Sequence, residues 1–162
     1  MSYMFYNCIS LESIDLSNFD TSQVTTMISM FRNCKSIKSI DASSFNTSKV
    51  KNMFDIFGYC NQLVSVNVSS FDTSNVRVMQ GMFYSCYKLE YLDLRNFKAS
   101  SVENIAYMFA FCRSLRYLNL FSFSIKSKLN SSLTFLAVPS NLDYFIEDIF
   151  TVNHFFGTLI SN

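Results

Sequence analysis

Cysteines stand at positions 8, 34, 60, 86 and 112, so each follows the last by 26 residues. A period that short and that strict means one structural unit written five times. Other columns keep the same step. Phe19, Phe45, Phe71, Phe97 and Phe123 form one, and Phe5, Phe31, Phe57, Phe83 and Phe109 another. Leu11, Ile37, Leu63, Leu89 and Leu115 open a third, followed at fixed offsets by Ile14, Ile40, Val66, Leu92 and Leu118, then by Leu16, Ala42, Val68, Leu94 and Leu120. A unit of this length cannot bury its own apolar face. Units must therefore stack into a solenoid with one continuous core.

Within a unit the pattern changes from period two to helical spacing. Leu11, Ile14 and Leu16, with Ser13, Asp15 and Ser17 among them, predict a short strand with one buried face. After Phe19, the run Asp20, Thr21, Ser22 offers side-chain oxygens to a helix N-terminus, and Val24, Met27, Met30, Phe31 and Cys34 follow at helical offsets. Ser100 with Glu103 has the spacing of a capping box. The expectation is a helix of about three turns starting just after Ser22, Ser48, Ser74 and Ser100. Parallel strands sit about 4.8 Å apart and packed helices about 8–10 Å apart, so such a stack bends with its strands inside. The fold class expected is an α/β solenoid, a leucine-rich-repeat horseshoe with one short parallel strand and one helix per 26-residue coil.

Leu11 to Thr21 fits the frame L-x-x-L-x-L of leucine-rich repeats, with Phe19 where many repeats carry Asn or Cys. The wider phrase MFYNCISLESIDLSNFDTSQVTTM resembles the BspA-like leucine-rich repeats of surface proteins from bacteria and protists. Its M-F-x-x-C-x-x-L core recurs closely in MFRNCKSI, MFYSCYKL and MFAFCRSL, so the likeness runs from about residue 3 to 123. The resemblance implies a cell-surface or secreted binding protein, often adhesive, without enzymatic activity, whose partner is a protein such as a host or matrix protein. An intracellular, cytoplasmic interaction scaffold is the alternative. Unpaired cysteines and the lack of a signal peptide in this chain favour it.

Residues 1–124 read as a five-coil array whose first coil is incomplete, because Met1 to Cys8 enters the unit in its second half. A fragment of a longer array is the expected reading, since terminal coils normally carry a cap. Shifting by 27 instead of 26 aligns Leu129 with Val102, Phe135 with Met108, Leu142 with Leu115, Phe145 with Leu118 and Phe150 with Phe123. That gives a degenerate sixth coil over 125–150, with Pro139 in the Cys column and Glu147 at an inward position, which suits a C-terminal cap. Residues 151–162, with His154, Phe155, Phe156, Leu159 and Ile160, form a tail.

Thirteen basic and twelve acidic residues give a net charge of +1 with no Lys/Arg stripe, which argues against a nucleic-acid partner. No apolar run approaches the roughly 18 residues of a membrane span. The cysteines lack any C-x-x-C pair and the single His lies at 154, so neither zinc-ligand spacing nor a Cys–His pair is present. They read as small buried hydrophobes, with a disulfide between neighbouring coils the lesser alternative. Asp15, Asp41, Asn67, Asp93 and Asn119 read as a solvated polar ladder in preference to a calcium row. Catalytic, cofactor and metal residues are therefore assigned to none of these positions. The binding surface is expected among side chains flanking the buried strand residues. There the first three coils present small polar groups and the last two offer Tyr91, Asp93, Arg95, Tyr117, Asn119 and Phe121 to a partner.

Overall fold

The computed structural model of the chain describes residues 1–125 and 129–147. It holds five strands of three residues: β1 (Ser39–Asp41), β2 (Ser65–Asn67), β3 (Tyr91–Asp93), β4 (Tyr117–Asn119) and β5 (Asp143–Phe145). Every pairing is parallel and steps by the sequence period, with Ile40 opposite Val66, Leu92 opposite Leu118 and Leu118 opposite Tyr144. The ladders fall into two sheets, β1-β2 and β3-β4-β5. In β1 to β4 the middle residue of each strand is turned toward the core, and in β4 Asn119 is covered as well. The first coil's Leu11–Ser17 stretch packs on the core through Leu16 without forming a strand.

The expected helices are absent among the described residues. Where they were placed, Thr26, Asn52, Val78, Asn104 and Asn130 form a file of isolated parallel bridges. Beyond it the backbone alternates its donors. The N–H groups of Met27, Ser29, Phe31 and Asn33 donate to the carbonyls of Asn52, Phe54, Ile56 and Gly58 in the next coil at 2.8–2.9 Å. Those of Met30, Arg32 and Cys34 donate back three residues, to Met27, Ser29 and Phe31. Ser29 and Asn33 are left-handed, with φ of 51° and 65°, and the same two positions are left-handed in the coils that follow: Asp55 and Tyr59, Gly81 and Ser85, Tyr107 and Phe111. A string of four-residue turns with a left-handed third residue is incompatible with a helix. It nevertheless turns Met27, Met30, Phe31 and Cys34 inward at the spacing a helix would use. The Asp-Thr-Ser run is likewise a turn. Asp20 accepts the Ser22 N–H at 2.9 Å, while the buried Thr21 hydroxyl donates to the Asn46 carbonyl at 3.0 Å and accepts the Asn46 N–H at 2.8 Å. Glu103 caps nothing; its carboxylate lies 3.7 Å from Arg77 on an exposed surface. The helices whose wider spacing was expected to bend the stack are thus absent among the described residues, and coil-to-coil backbone bonds run along that side instead.

Phenylalanines fill the core in files. Phe5, Phe31, Phe57, Phe83, Phe109 and Phe135 stack at successive centroid distances of 5.2, 5.8, 5.5, 6.1 and 5.3 Å. Phe45, Phe71 and Phe97 form a second file at 6.4 and 6.1 Å. In the sixth coil the 26-residue step holds for the phenylalanine file and the strand, so the 27-residue alignment is corrected there: Phe135 continues the Phe109 file, and Tyr144, not Phe145, lies opposite Leu118. The Cys position is then Val138, packed against the core, and Glu147 is exposed. At Leu142 the 27-residue step holds, since Leu142 packs on the core and its N–H donates to Pro139 as that of Leu115 does to Cys112. Phe150 and the proposed tail 151–162 lie outside the described residues.

Candidate binding face

The first and third residues of each strand point away from the core. In the third position Asp41, Asn67, Asp93 and Asn119 each accept the N–H two residues on, at 3.0–3.2 Å, as Asp15 does at 2.9 Å for Ser17. This polar column is therefore a file of Asx turns that ends each strand, and Asn serves there as well as Asp. The serine bonds hold the Asp15 and Asp41 carboxyls below their usual range.

In the first position Ser39 and Ser65 give way to Tyr91 and Tyr117. The two rings stack at 4.3 Å and 6° between planes, and Phe145 of β5 tilts against Tyr117 at 5.3 Å. Tyr91 remains 50% exposed and Phe121, in the turn after β4, 51%. A hydrogen bond with Tyr117, helped by desolvation, raises the Tyr91 phenol above its usual value and keeps it neutral at physiological pH. Arg95 closes on Asp93 with Nε at 2.8 and 3.0 Å and Nη2 at 2.6 Å. Burial pushes the Asp93 carboxyl up, but the Arg95 bonds and charge outweigh it and leave it lowered. Tyr91, Asp93, Arg95 and Tyr117 thus form one patch. Asn119 does not join it: only 8% exposed, it accepts the Phe121 N–H at 3.0 Å and its amide lies 3.4 Å from the Tyr117 hydroxyl, so it supports its neighbours from below. Phe145 joins the patch unforeseen, because the 27-residue alignment had assigned it to the core.

Strand pairing lapses beside this patch. Ala42, Leu94 and Leu120 donate their N–H to Asn67, Asn119 and Phe145 at 2.8–2.9 Å, but among the described residues no such bond joins Val68 to Asp93. The bond before the strands is also stretched there: Glu90 N–H to Val64 carbonyl is 3.4 Å, against 2.8–2.9 Å for Val64 to Lys38 and Arg116 to Glu90. A slot of about 470 Å³ opens along the seam, with Val66, Asn67 and Ser69 on one side and Tyr91, Asp93 and Arg95 on the other.

On the turn side a hollow of about 300 Å³ lies among Arg32, Asp55, Tyr59, Gly81, Tyr84 and Tyr107. The chain's own Arg32 already serves it, pairing with the buried Asp55 and covering the Tyr59 ring at 4.6 Å. No three His, Cys, Asp or Glu side chains gather into a metal site among the described residues. All five thiols are free. Burial pushes Cys34 up to about 11 and Cys112 up to about 12, which makes poor nucleophiles of them at neutral pH. No helix of the described residues is long and apolar enough to cross a membrane.

Parallel coils stacked at one fixed step, with files of identical side chains through the core, define a repeat solenoid. The chain belongs to a family described as Mycoplasma protein of unknown function, DUF285, whose pattern matches residues 1–90 and again 43–143. No curated protein and no solved structure matches the chain.

Proposed function

We propose that this chain is a non-enzymatic interaction module that binds a partner protein through the strand face of its last coils. We further propose that it acts at the cell surface or after secretion, as the BspA-like leucine-rich repeat proteins it resembles do. The observation that carries this reading is the change in surface along one sheet face. Ser39 and Ser65 give way to the stacked pair of exposed Tyr91 and half-buried Tyr117, with exposed Phe145 and Phe121 beside them and a locked Asp93–Arg95 pair at their edge. Exposed aromatics grouped on an otherwise polar face favour an interface, since Tyr and Phe desolvate large area at small entropy cost. The buried thiols support the non-enzymatic part of the reading.

The test is binding of the purified protein to a panel of immobilised matrix and serum glycoproteins. Changing Tyr91, Tyr117 and Phe121 together to Ser should abolish binding while circular dichroism stays as in the parent. Undiminished binding by that variant would refute the reading. The intracellular-scaffold alternative draws on the five free thiols. Antibody labelling of intact source cells separates the two.

A further inference from the structure

Tyr117 covers one face of the Tyr91 ring. The other side of Tyr91 borders the seam slot, because the strand position before it in the file is Ser65, too small to continue the stack. We propose that this slot takes a single sugar ring of a neutral glycan carried by the partner, a specific inference that rests on the strand face being the binding surface.

Three observations select that ligand. The slot pairs one flat aromatic wall with planar polar groups: Asn67, Asp93, Arg95 and Asn96 border the same space of about 470 Å³, within the range of small-ligand sites. A pyranose has the matching surface, with axial C–H groups for the ring face and a rim of hydroxyls that both donate and accept. Secondly, the slot is electrically balanced, since Asp93 and Arg95 neutralise each other at 2.6 Å. A phosphate or sulfate gains from Arg95 what it loses to Asp93, and an ammonium group meets the reverse, so an uncharged ligand fits best. Thirdly, Val68 lines the slot and is the strand-end residue whose N–H lacks the inter-coil bond that Ala42, Leu94 and Leu120 make. A partner's aromatic side chain would stack equally well on Tyr91, but it would desolvate these polar groups and give them nothing in return. The rim is also preorganised. Arg95 spends Nε and Nη2 on Asp93, and Asn96 Nδ2 donates to the Ser69 carbonyl at 2.6 Å, so a ligand meets side chains already fixed.

The experiment is titration of the full chain with a panel of neutral oligosaccharides ending in glucose, galactose, mannose or an N-acetylhexosamine, followed by calorimetry and saturation-transfer NMR. At least one should bind. Its affinity should fall at least tenfold in Tyr91→Ser and be unchanged in Tyr6→Ser, an exposed ring of the first coil outside both the slot and the aromatic patch. Ser65→Tyr, which places a ring one 26-residue step before Tyr91 at the mouth of the slot without removing any core residue, should block the sugar as well, so a folding defect in Tyr91→Ser cannot decide the matter alone. Sugar binding that survives Ser65→Tyr overturns the proposal, as does a panel in which no glycan binds. Competition by a tyrosine- or phenylalanine-containing peptide, with no sugar bound, overturns it in favour of a protein side chain. If an enzymatically deglycosylated partner binds as tightly as before, the sugar proposal fails while the interaction-module reading stands; if the triple variant described above binds fully, the module reading fails first.

Discussion

The carbonyl oxygen of Phe31 accepts the thiol hydrogen of Cys60, 29 residues on, at 3.1 Å. The same oxygen already takes the Cys34 N–H at 3.1 Å. Phe5 and Cys34, Phe57 and Cys86, and Phe83 and Cys112 repeat the arrangement at 3.1–3.2 Å. The cysteine file is thus more than a set of small apolar plugs: from Cys34 onward each thiol supplies a weak donor to a turn carbonyl in the coil before it. Neighbouring thiols remain free, so the disulfide alternative is not found.

Thiol chemistry should follow. Desolvation raises Cys60 and Cys86 above their ordinary value. A thiol reagent should therefore label both slowly in the native protein and rapidly after denaturation. The stability sign is fixed by the direction of the shift: below the ordinary thiol value of 9.0 both states keep their protons, and above it only the unfolded chain ionises. Denaturant midpoints should fall as pH rises past that value. A midpoint that is flat into the alkaline range would show that the thiols are not desolvated.

Phe71 stacks between Phe45 and Phe97 and is 2% exposed. Phe71→Ala should cost about 3–5 kcal/mol, because the files above and below hold the cavity open. Thermal melting checks it, and an unchanged midpoint would mean the file is not the core.

Carboxylates in the Asx turns give an acid limb. Hydrogen bonds from the Ser43 side chain and backbone lower Asp41, and those of Ser22 lower Asp20. A folded value below the ordinary 3.8 means a contribution present above that value and lost as pH falls through the folded one. Asp41→Asn should leave stability at neutral pH unchanged, since Asn67 and Asn119 already hold the same turn. It should also flatten the acid limb in denaturation measured from pH 5 to pH 2, roughly the span over which such carboxylates lose their contribution.

The Arg32–Asp55 pair joins the second coil to the third, with the Asp55 side chain 4% exposed and its Oδ1 without a hydrogen-bond partner. Arg32→Met should destabilise by about 3 kcal/mol, because it strands a buried carboxylate. Adding Asp55→Gly should recover most of that loss, as position 55 is left-handed at φ 57° and the next coil already carries Gly81 there. Gly58→Ala should also destabilise, since its methyl would displace the Asp55 carboxylate from its place beside Arg32. Equilibrium unfolding of the three variants measures each step.

The apolar columns were legible from the sequence, because burial leaves its mark in every coil: Phe31, Phe57, Phe83 and Phe109 are all inward. What lies between the columns was not. Turns of four residues and a helix place Met27, Met30, Phe31 and Cys34 on the same side, so spacing alone cannot separate them. The discriminating mark is a residue that tolerates positive φ. It is visible at Asn33 and Gly81 but masked at Tyr59, Tyr107 and Phe111. The aromatic pair Tyr91 and Tyr117 could be read from a shared column. The seam beside it could not, since no residue type announces a backbone bond that fails to form.

The backbone bonds that join coils run only between neighbours, and the pairings repeat with one step of 26 residues. Insertion or loss of a whole 26-codon segment at any junction leaves every register intact, whereas a single-codon change shifts all the files beyond it. Genes for such arrays can therefore lengthen or shorten by recombination between their own repeats, and two chains of different reach can share one core while differing only in which outward residues they display.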